Sequence, residues 1–281
     1  MSLTLYLRRI PFAPAIAARV LRSAGTAYCA LLGESSYHVF VSRGGVKYDL
    51  DIHEDVQMRI FFGNYDTDEL HILREYLRPG DTAIDVGAQV GYFTLNFSLA
   101  VGQAGRVVAF EPDPRHVERL RANIGLNPFA RNVTVVPEAV SNVAGKATLF
   151  RSSAEHSGGN SLYPDVTSVE NSIEVPTVTL DEYCTEHGLD RVRVLKIDVE
   201  GHEPVVLQGC SRMLSERRID LVLMEYVASR LRALGFAPDE FDEALRRNGY
   251  VRIFPKDIPH ADNVLNLIYR SPDLGAGPTA A

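Results

Sequence analysis

The sequence predicts an α/β protein built on a doubly wound, seven-stranded sheet with an added N-terminal helix and β-hairpin. Three observations carry this. From Ala83 onward, short apolar strands alternate with helical patterns, the rhythm of βαβ units. The strands are near-continuous runs of Val, Ile, Leu and Phe, as a parallel sheet covered on both faces requires. The last two strands, Tyr250 to Phe254 and Val264 to Tyr269, have too short a connection for a crossover helix, so they are expected to pair antiparallel.

Residues 1–33 contain no acid but carry Arg8, Arg9, Arg19 and Arg22. After Pro14, Ile16, Val20, Ala24, Ala27 and Leu31 recur at helical spacing, with Arg19 and Arg22 on the other face. This is a basic amphipathic helix, expected to pack on the core or on a second subunit, with contact to a membrane surface as the alternative. A signal peptide fits badly, because Arg8 and Arg9 interrupt the apolar stretch. Residues 34–65 are expected to form a β-hairpin extension. Short strands are read between Ser36 and Phe62, with Tyr37–Val41 and Val46–Ile52 flanking a Gly44-Gly45 turn.

Residues 66–270 form the main domain. Asp66, Thr67 or Asp68 caps a helix carrying Leu70, Leu73 and Leu77 and stopped by Pro79-Gly80. Strand Ala83–Val86, helix Tyr92–Ala100 and strand Val107–Phe110 follow. Asp113 caps and Pro114 opens a helix with Val117, Leu120 and Ile124 on its inner face. Val133–Val136 is the third strand. After a long insertion come strand Val192–Ile197, a helix over Val205–Leu214, strand Leu221–Met224 and a helix over Phe241–Arg247. Residues 271–281 are rich in Gly, Pro and Ala and are expected to be disordered.

Composition narrows the function. Thirty-six acids against twenty-nine Lys and Arg give a net charge of -7, a poor match to a nucleic acid backbone. Cys29, Cys184 and Cys210 form no CxxC pair, so neither a disulfide framework nor a zinc site is expected, and a cytoplasmic setting is the simplest. No apolar run is long enough to span a bilayer.

Asp85-Val86-Gly87-Ala88-Gln89-Val90-Gly91-Tyr92 follows a strand and opens a helix, where open parallel sheets bind ligands. Gly87 allows the tight turn, and Gly91 allows the backbone to approach a ligand. The spacing is G-x-x-x-G, not the G-x-G-x-x-G that suits a dinucleotide pyrophosphate. Asp85 faces a positive group, and the ammonium of S-adenosylmethionine supplies one. Glu111 ends the second strand, where an acid accepts from both hydroxyls of a ribose. Glu138-Ala139, after the third strand, is where an adenine contact falls. A solvent-facing Glu138 is an equal alternative.

The densest polar cluster is Lys196-Ile197-Asp198-Val199-Glu200-Gly201-His202-Glu203, at the end of the fourth strand. Alternation places Lys196 and Asp198 on one face. Methyl transfer to a hydroxyl needs an in-line nucleophile and a proton acceptor. Asp198, Glu200 and His202 are candidates for that acceptor. Lys196 is either catalytic or part of a structural ion-pair network, and Glu203 suits the first turn of the next helix. Glu225 ends the fifth strand beside them. Two acids, Asp198 and Glu225, are too few to assign a metal.

These residues resemble the FkbM family of methyltransferases. The resemblance rests on Asp85 to Tyr92, Phe110-Glu111-Pro112-Asp113, Thr179-Leu180-Asp181 and Leu195 to Gly201 with Glu203, and runs from about Asp66 to Tyr269. It implies a class I methyltransferase fold (Rossmann-like, last strand antiparallel), S-adenosylmethionine as donor, and an oxygen on a sugar, glycolipid or polyketide-like acceptor. It places Asp85, Gly87 and Gly91 along the methionine part and Glu111, followed by Pro112, at the ribose. Gln89 stands where the family often has Asn, and His202 where it often has Ala, so no shared catalytic role for His202 follows. The stretch Ser157 to Leu162 has a counterpart in the family and reads as a lid loop or an exposed hairpin tip. Two other readings are an NAD-dependent oxidoreductase, disfavoured by the glycine spacing, and a membrane-surface or partner-binding module that keeps the fold without the reaction. The expected partner is a small-molecule or glycan acceptor.

Overall fold

The computed structural model describes residues 38–152, 158–164, 171–237, 239–255 and 264–274. The basic helix expected within residues 1–33 lies outside them. Strands β1 (His38–Arg43) and β2 (Val46–Asp51) form the expected hairpin. The following segment is not strand but helix α1 (Asp55–Phe62), with Gln57, Met58, Ile60 and Phe61 buried. Its apolar residues have helical rather than alternating spacing, which the short run obscured. The hairpin is fixed to the main domain by side-chain amides. Asn127 Oδ1 accepts from Lys47 N at 2.9 Å, and Asn123 Oδ1 from Asp49 N at 2.7 Å.

Helix α2 (Thr67–Tyr76) leads into the alternating body: β3 (Thr82–Val86), α3 (Tyr92–Val101), β4 (Arg106–Phe110), α4 (Pro114–Gly125) and β5 (Val133–Val136). The insertion is a small three-stranded sheet of β6 (Ala139–Val140), β7 (Gly145–Arg151) and β8 (Asn171–Val178). Helix α5 (Leu180–Glu186), β9 (Val192–Ile197), α6 (Glu203–Gln208), α7 (Ser211–Ser215) and β10 (Ile219–Tyr226) follow. Helices α8 (Ala228–Ala233) and α9 (Glu240–Arg247) and strands β11 (Val251–Phe254) and β12 (Leu265–Arg270) close the fold. Ser271 is buried and donates its backbone N–H to Asp220 O, so the start of the expected tail is docked.

The seven-stranded sheet has the order β11-β12-β10-β9-β3-β4-β5. Strand β12 runs antiparallel to both neighbours, and the other described pairings are parallel. Alternation divides the core as the sheet's period requires. Ile84, Phe110, Leu195 and Met224 fill one face; Ala83, Val107, Val194 and Leu223 fill the other. Among the described residues no helix is long and apolar enough to cross a membrane.

The helix expected over Val205–Leu214 is instead two, α6 and α7, broken at Gly209 and Cys210. A Cβ on Gly209 would sit 2.0 Å from the carbonyl oxygen of Ser141, so the break lets the chain pass the inserted sheet. Gly209→Ala is expected to cost about 1–3 kcal/mol of stability, measured by urea unfolding, since backbone cannot yield as a side chain does.

Candidate active site

The chain turns from building the sheet one way, β3 to β5, to building it the other way, β9 and β10, at the carboxyl ends of β3 and β9. A cavity of about 560 Å³ opens there, within the roughly 300–1,000 Å³ of ligand sites. It gathers Asp85, Gly87, Gln89, Glu111, Pro112, Glu138 and Ala139 from one half of the sheet, and Lys196, Asp198, Glu200, His202 and Glu225 from the other. Residues far apart in sequence thus share one wall.

Gly91 differs from its expected place. It is not a lining residue; a Cβ there would meet Leu120 Cδ1 at 2.6 Å. Its φ of 91° opens α3, and its lack of a side chain serves the packing of α3 on α4. Gly87 is constrained by the chain itself, since a Cβ there would lie 1.9 Å from Asp198 O.

Asp85 is fully buried and accepts from Thr94 Oγ1 at 2.6 Å. Lys196, 4% exposed, places Nζ 2.9 Å from Gly87 O, 3.3 Å from Asp85 Oδ1 and 3.4 Å from Asp198 Oδ2. Burial acts to lower its proton affinity, but Asp85 and Asp198 outweigh burial and raise it. Lys196 is therefore a fixed cation that ties β3 to β9, and it holds its proton too tightly to act as a base. Glu203, buried at the start of α6, accepts from Val199 N and Gly201 N and fixes the loop carrying Glu200. Glu200 sits in the left-handed region at φ 56°.

The carboxylates of Asp198, Glu200 and Glu225 approach one another within 4.8 Å. The Arg230 guanidinium, which the sequence reading did not single out, pairs with Glu200 and, at 2.9 Å, with Glu225. Burial, and then repulsion from Asp198 and Glu203 partly offset by Arg230, pushes Glu200 up to about 8. Burial also raises Glu225. His202 Nε2 lies 3.2 Å from Ser141 Oγ, and burial drops its proton affinity to about 4, leaving a neutral ring at physiological pH.

Glu111 Oε2 accepts from Gln89 N and Oε1 from Asp113 N, each at 2.9 Å, so this one carboxylate orients the β3 turn and the β4 end together. Asp113 is the expected N-cap of α4, accepting from Arg115 N at 3.0 Å. It also accepts from Arg151 on β7 and Asn160 in the 158–162 loop. That loop crosses the cavity, with Ser161 Oγ donating to Glu200 O at 2.8 Å.

Sequence reasoning treated Asp66 only as a cap. It has φ 40° and makes no side-chain cap hydrogen bond. Its carboxylate lines the cavity instead, with Tyr65, Glu69 and Arg59. Burial, and next the Asp198 charge, pushes Asp66 up to about 6. Its folded value exceeds the unfolded one, so stability falls as pH rises from about 4 to about 6. Asp66→Asn removes that cost. Its thermal midpoint is expected to exceed that of the wild type at pH 7.5, by on the order of 1–3 kcal/mol of stability, and to match it at pH 4.

A doubly wound seven-stranded sheet whose last strand in sequence, β12, runs antiparallel to its neighbours is the architecture of class I methyltransferases, and the cavity lies at its switch point. Residues 85–252, more than half of the chain, match the methyltransferase FkbM domain, and the chain belongs to that family. It is similar to hexuronic acid methyltransferase AglP of Haloferax volcanii, at 28% identity over 160 residues, covering 56% of this chain and 61% of that protein. It is also similar to 31-O-demethyl-FK506 methyltransferase FkbM of Streptomyces tacrolimicus, at 31% identity over 158 residues, covering 47% and 60%. A third relative is 2-O-methyltransferase NoeI of Sinorhizobium fredii, at 27% identity over 157 residues, covering 50% and 62%. The chain thus spans about three fifths of the length of these relatives. The family assignment removes the dinucleotide alternative.

S-adenosylmethionine is the cofactor of this family, and the residues fit it. Gln89 Nε2, a donor, is buried near the β3 end without a hydrogen bond among the described residues, and Asp85 Oδ1 beside it is ion-paired with Lys196 at 3.3 Å; the pair offers a donor for the carboxylate and an acceptor for the ammonium of an amino acid. The Glu111 carboxylate lines the same cavity, where it would face the hydroxyls of a ribose. Pro112, Ala139, Val140 and Leu149 give an apolar slot for a base.

Proposed function

We propose that the chain transfers the methyl group of S-adenosylmethionine to a hydroxyl oxygen of a sugar, glycolipid or polyketide-like acceptor. One observation carries this reading: the donor-matching residues Asp85, Gln89 and Glu111 share a single cavity with the carboxylate cluster of Asp198, Glu200 and Glu225. The names of two relatives, a 2-O-methyltransferase and a methyltransferase of a 31-O-demethyl compound, support oxygen as the site of transfer.

The bound donor supplies an electrophilic methyl on a sulfonium. The rest falls to the chain. Asp85, Gly87 and Gln89 orient the amino-acid end, Glu111 and Pro112 the ribose, and Glu138 and Ala139 flank the base. Asp198 is placed to take the proton of the acceptor's hydroxyl, whose oxygen would receive the methyl group that the donor supplies when bound. Lys196 holds that carboxylate in place. Glu200 is committed to the Arg230 guanidinium and is a wall group rather than the base. His202 is neutral and shapes the pocket.

Calorimetry with S-adenosylmethionine tests the donor half. Glu111→Gln is expected to weaken binding by about 10–100-fold, the worth of hydrogen bonds to a charged acceptor. If the wild-type chain binds no S-adenosylmethionine, the reading is rejected. The acceptor half is tested by release of S-adenosylhomocysteine in the presence of hydroxyl compounds.

A further inference from the structure

The donor half of the cavity holds a buried ion pair behind the groups that meet the donor. His116, on α4, is 6% exposed and lines the cavity, and its Nδ1 lies 3.5 Å from Glu111 Oε1. Glu111 is itself buried and already accepts from the backbone N–H groups of Gln89 and Asp113. A buried carboxylate calls for a countercharge as well as hydrogen bonds. Arg115 and Arg151, nearby in space, are bonded to Asp113. The ring at ion-pair distance from Glu111 is His116.

The start of a helix disfavours a cation, and so does burial. Three acids nevertheless face this ring: Glu111 just after β4, Asp113 at the N-cap of α4 and Glu54 at the N-cap of α1. Burial acts to lower the proton affinity of His116, but Glu111 first, then Asp113 and Glu54, outweigh burial and raise it. An imidazolium donates from both nitrogens, whereas a neutral ring carries a lone pair on one of them.

Resting on the reading that S-adenosylmethionine sets its ribose on Glu111, we propose that His116 is a positioning residue for the donor. Its imidazolium holds the Glu111 carboxylate charged and in place to accept from the ribose hydroxyls. A ribose seated there displaces water from the pair and strengthens its attraction. Donor binding and the proton on His116 therefore favour each other, and donor affinity falls as pH rises through the ionisation of His116.

Calorimetry of the full chain with S-adenosylhomocysteine, which lacks the sulfonium charge, tests this at about pH 6 and about pH 9. The Kd of His116→Gln relative to the wild type is expected to be about tenfold higher at the lower pH and about equal at the higher. Asp66 and Glu200 titrate in both proteins, so the ratio isolates His116. In a Glu111→Gln background the ratio is expected to stay near one throughout, since the charge that His116 meets is gone. An NMR titration of the His116 ring in the unsubstituted chain needs no variant. S-adenosylhomocysteine is expected to move its midpoint up by about one pH unit, the same tenfold by linkage. A ratio that is equal at both pH values, or that Glu111→Gln leaves unchanged, would show that His116 serves packing alone and overturn the proposal. So would a midpoint that S-adenosylhomocysteine does not move. Absence of binding by the wild type at both pH values would instead remove the donor reading itself, and the positioning role with it.

Discussion

Asp198→Asn is expected to lower kcat by about 10²–10⁴-fold, the range for a positioned general base, with little change in the Kd for S-adenosylmethionine. Asp198 follows β9, and its backbone N–H donates to Val86 O at 3.1 Å, so its position is fixed by the β3–β9 pairing. Its carboxylate, with the side chain 21% exposed, lies 3.4 Å from a lysine that keeps its charge. Asparagine keeps the shape but cannot take a proton from a hydroxyl. The Lys196 ammonium retains Asp85 and Gly87 O as partners, so the fold should tolerate the change. Single-turnover kinetics with saturating donor check this. A variant with wild-type kcat would move the base to Glu200 or His202. The two alternatives differ in pH profile. Glu200 as base would give an activity rise centred near pH 8, and His202 one centred near pH 4.

The parts of this protein that were legible in the sequence are those with local causes. Strands β3, β4, β5 and β9 are mostly apolar runs bounded by turn residues, so their place in a parallel sheet follows from composition. Asp85, Glu111 and Asp198 sit at strand ends, and the switch-point rule brings such ends together. What escaped was set by tertiary contact. Gly91 sits in a ligand-loop pattern, but its neighbour is Leu120 on another helix. Gly209 breaks a helix because Ser141 passes beside it. Arg230 and Asp66 reach the cavity from α8 and from the start of α2, and nothing near them in sequence announces a site. The same holds for Asp113, whose capping role was plain while its reach to β7 and the crossing loop was not.

That reach gives Asp113 the largest expected effect on stability. Asp113→Ala is expected to cost about 3–5 kcal/mol in urea unfolding, the range for breaking a buried ion pair from one side. Asp113 is fully buried and bonded at once to Arg151, Arg115 and Asn160. Alanine leaves Arg151, whose side chain is 14% exposed, without its carboxylate. It also removes the N-cap of α4, worth about 0.5–2 kcal/mol within that total. Burial opposes ionisation of Asp113, but Arg151 and Arg115 outweigh burial and hold its carboxyl well below the usual range. A depressed folded value means the stabilisation is full above about pH 4 and is lost as pH falls toward the folded value. The gap between wild type and variant should therefore be constant from pH 8 to 5 and close on further acidification. Because Asn160 ties the crossing loop to Asp113, residual folded Asp113→Ala should also bind S-adenosylmethionine more weakly. Asp113→Asn keeps the cap and the Asn160 contact but loses the charge pairing. It should fall between the two in stability and near the wild type in donor affinity. Equal stability of the alanine variant and the wild type at pH 7 would show that Arg151 finds another partner and that the clamp does not hold the inserted sheet.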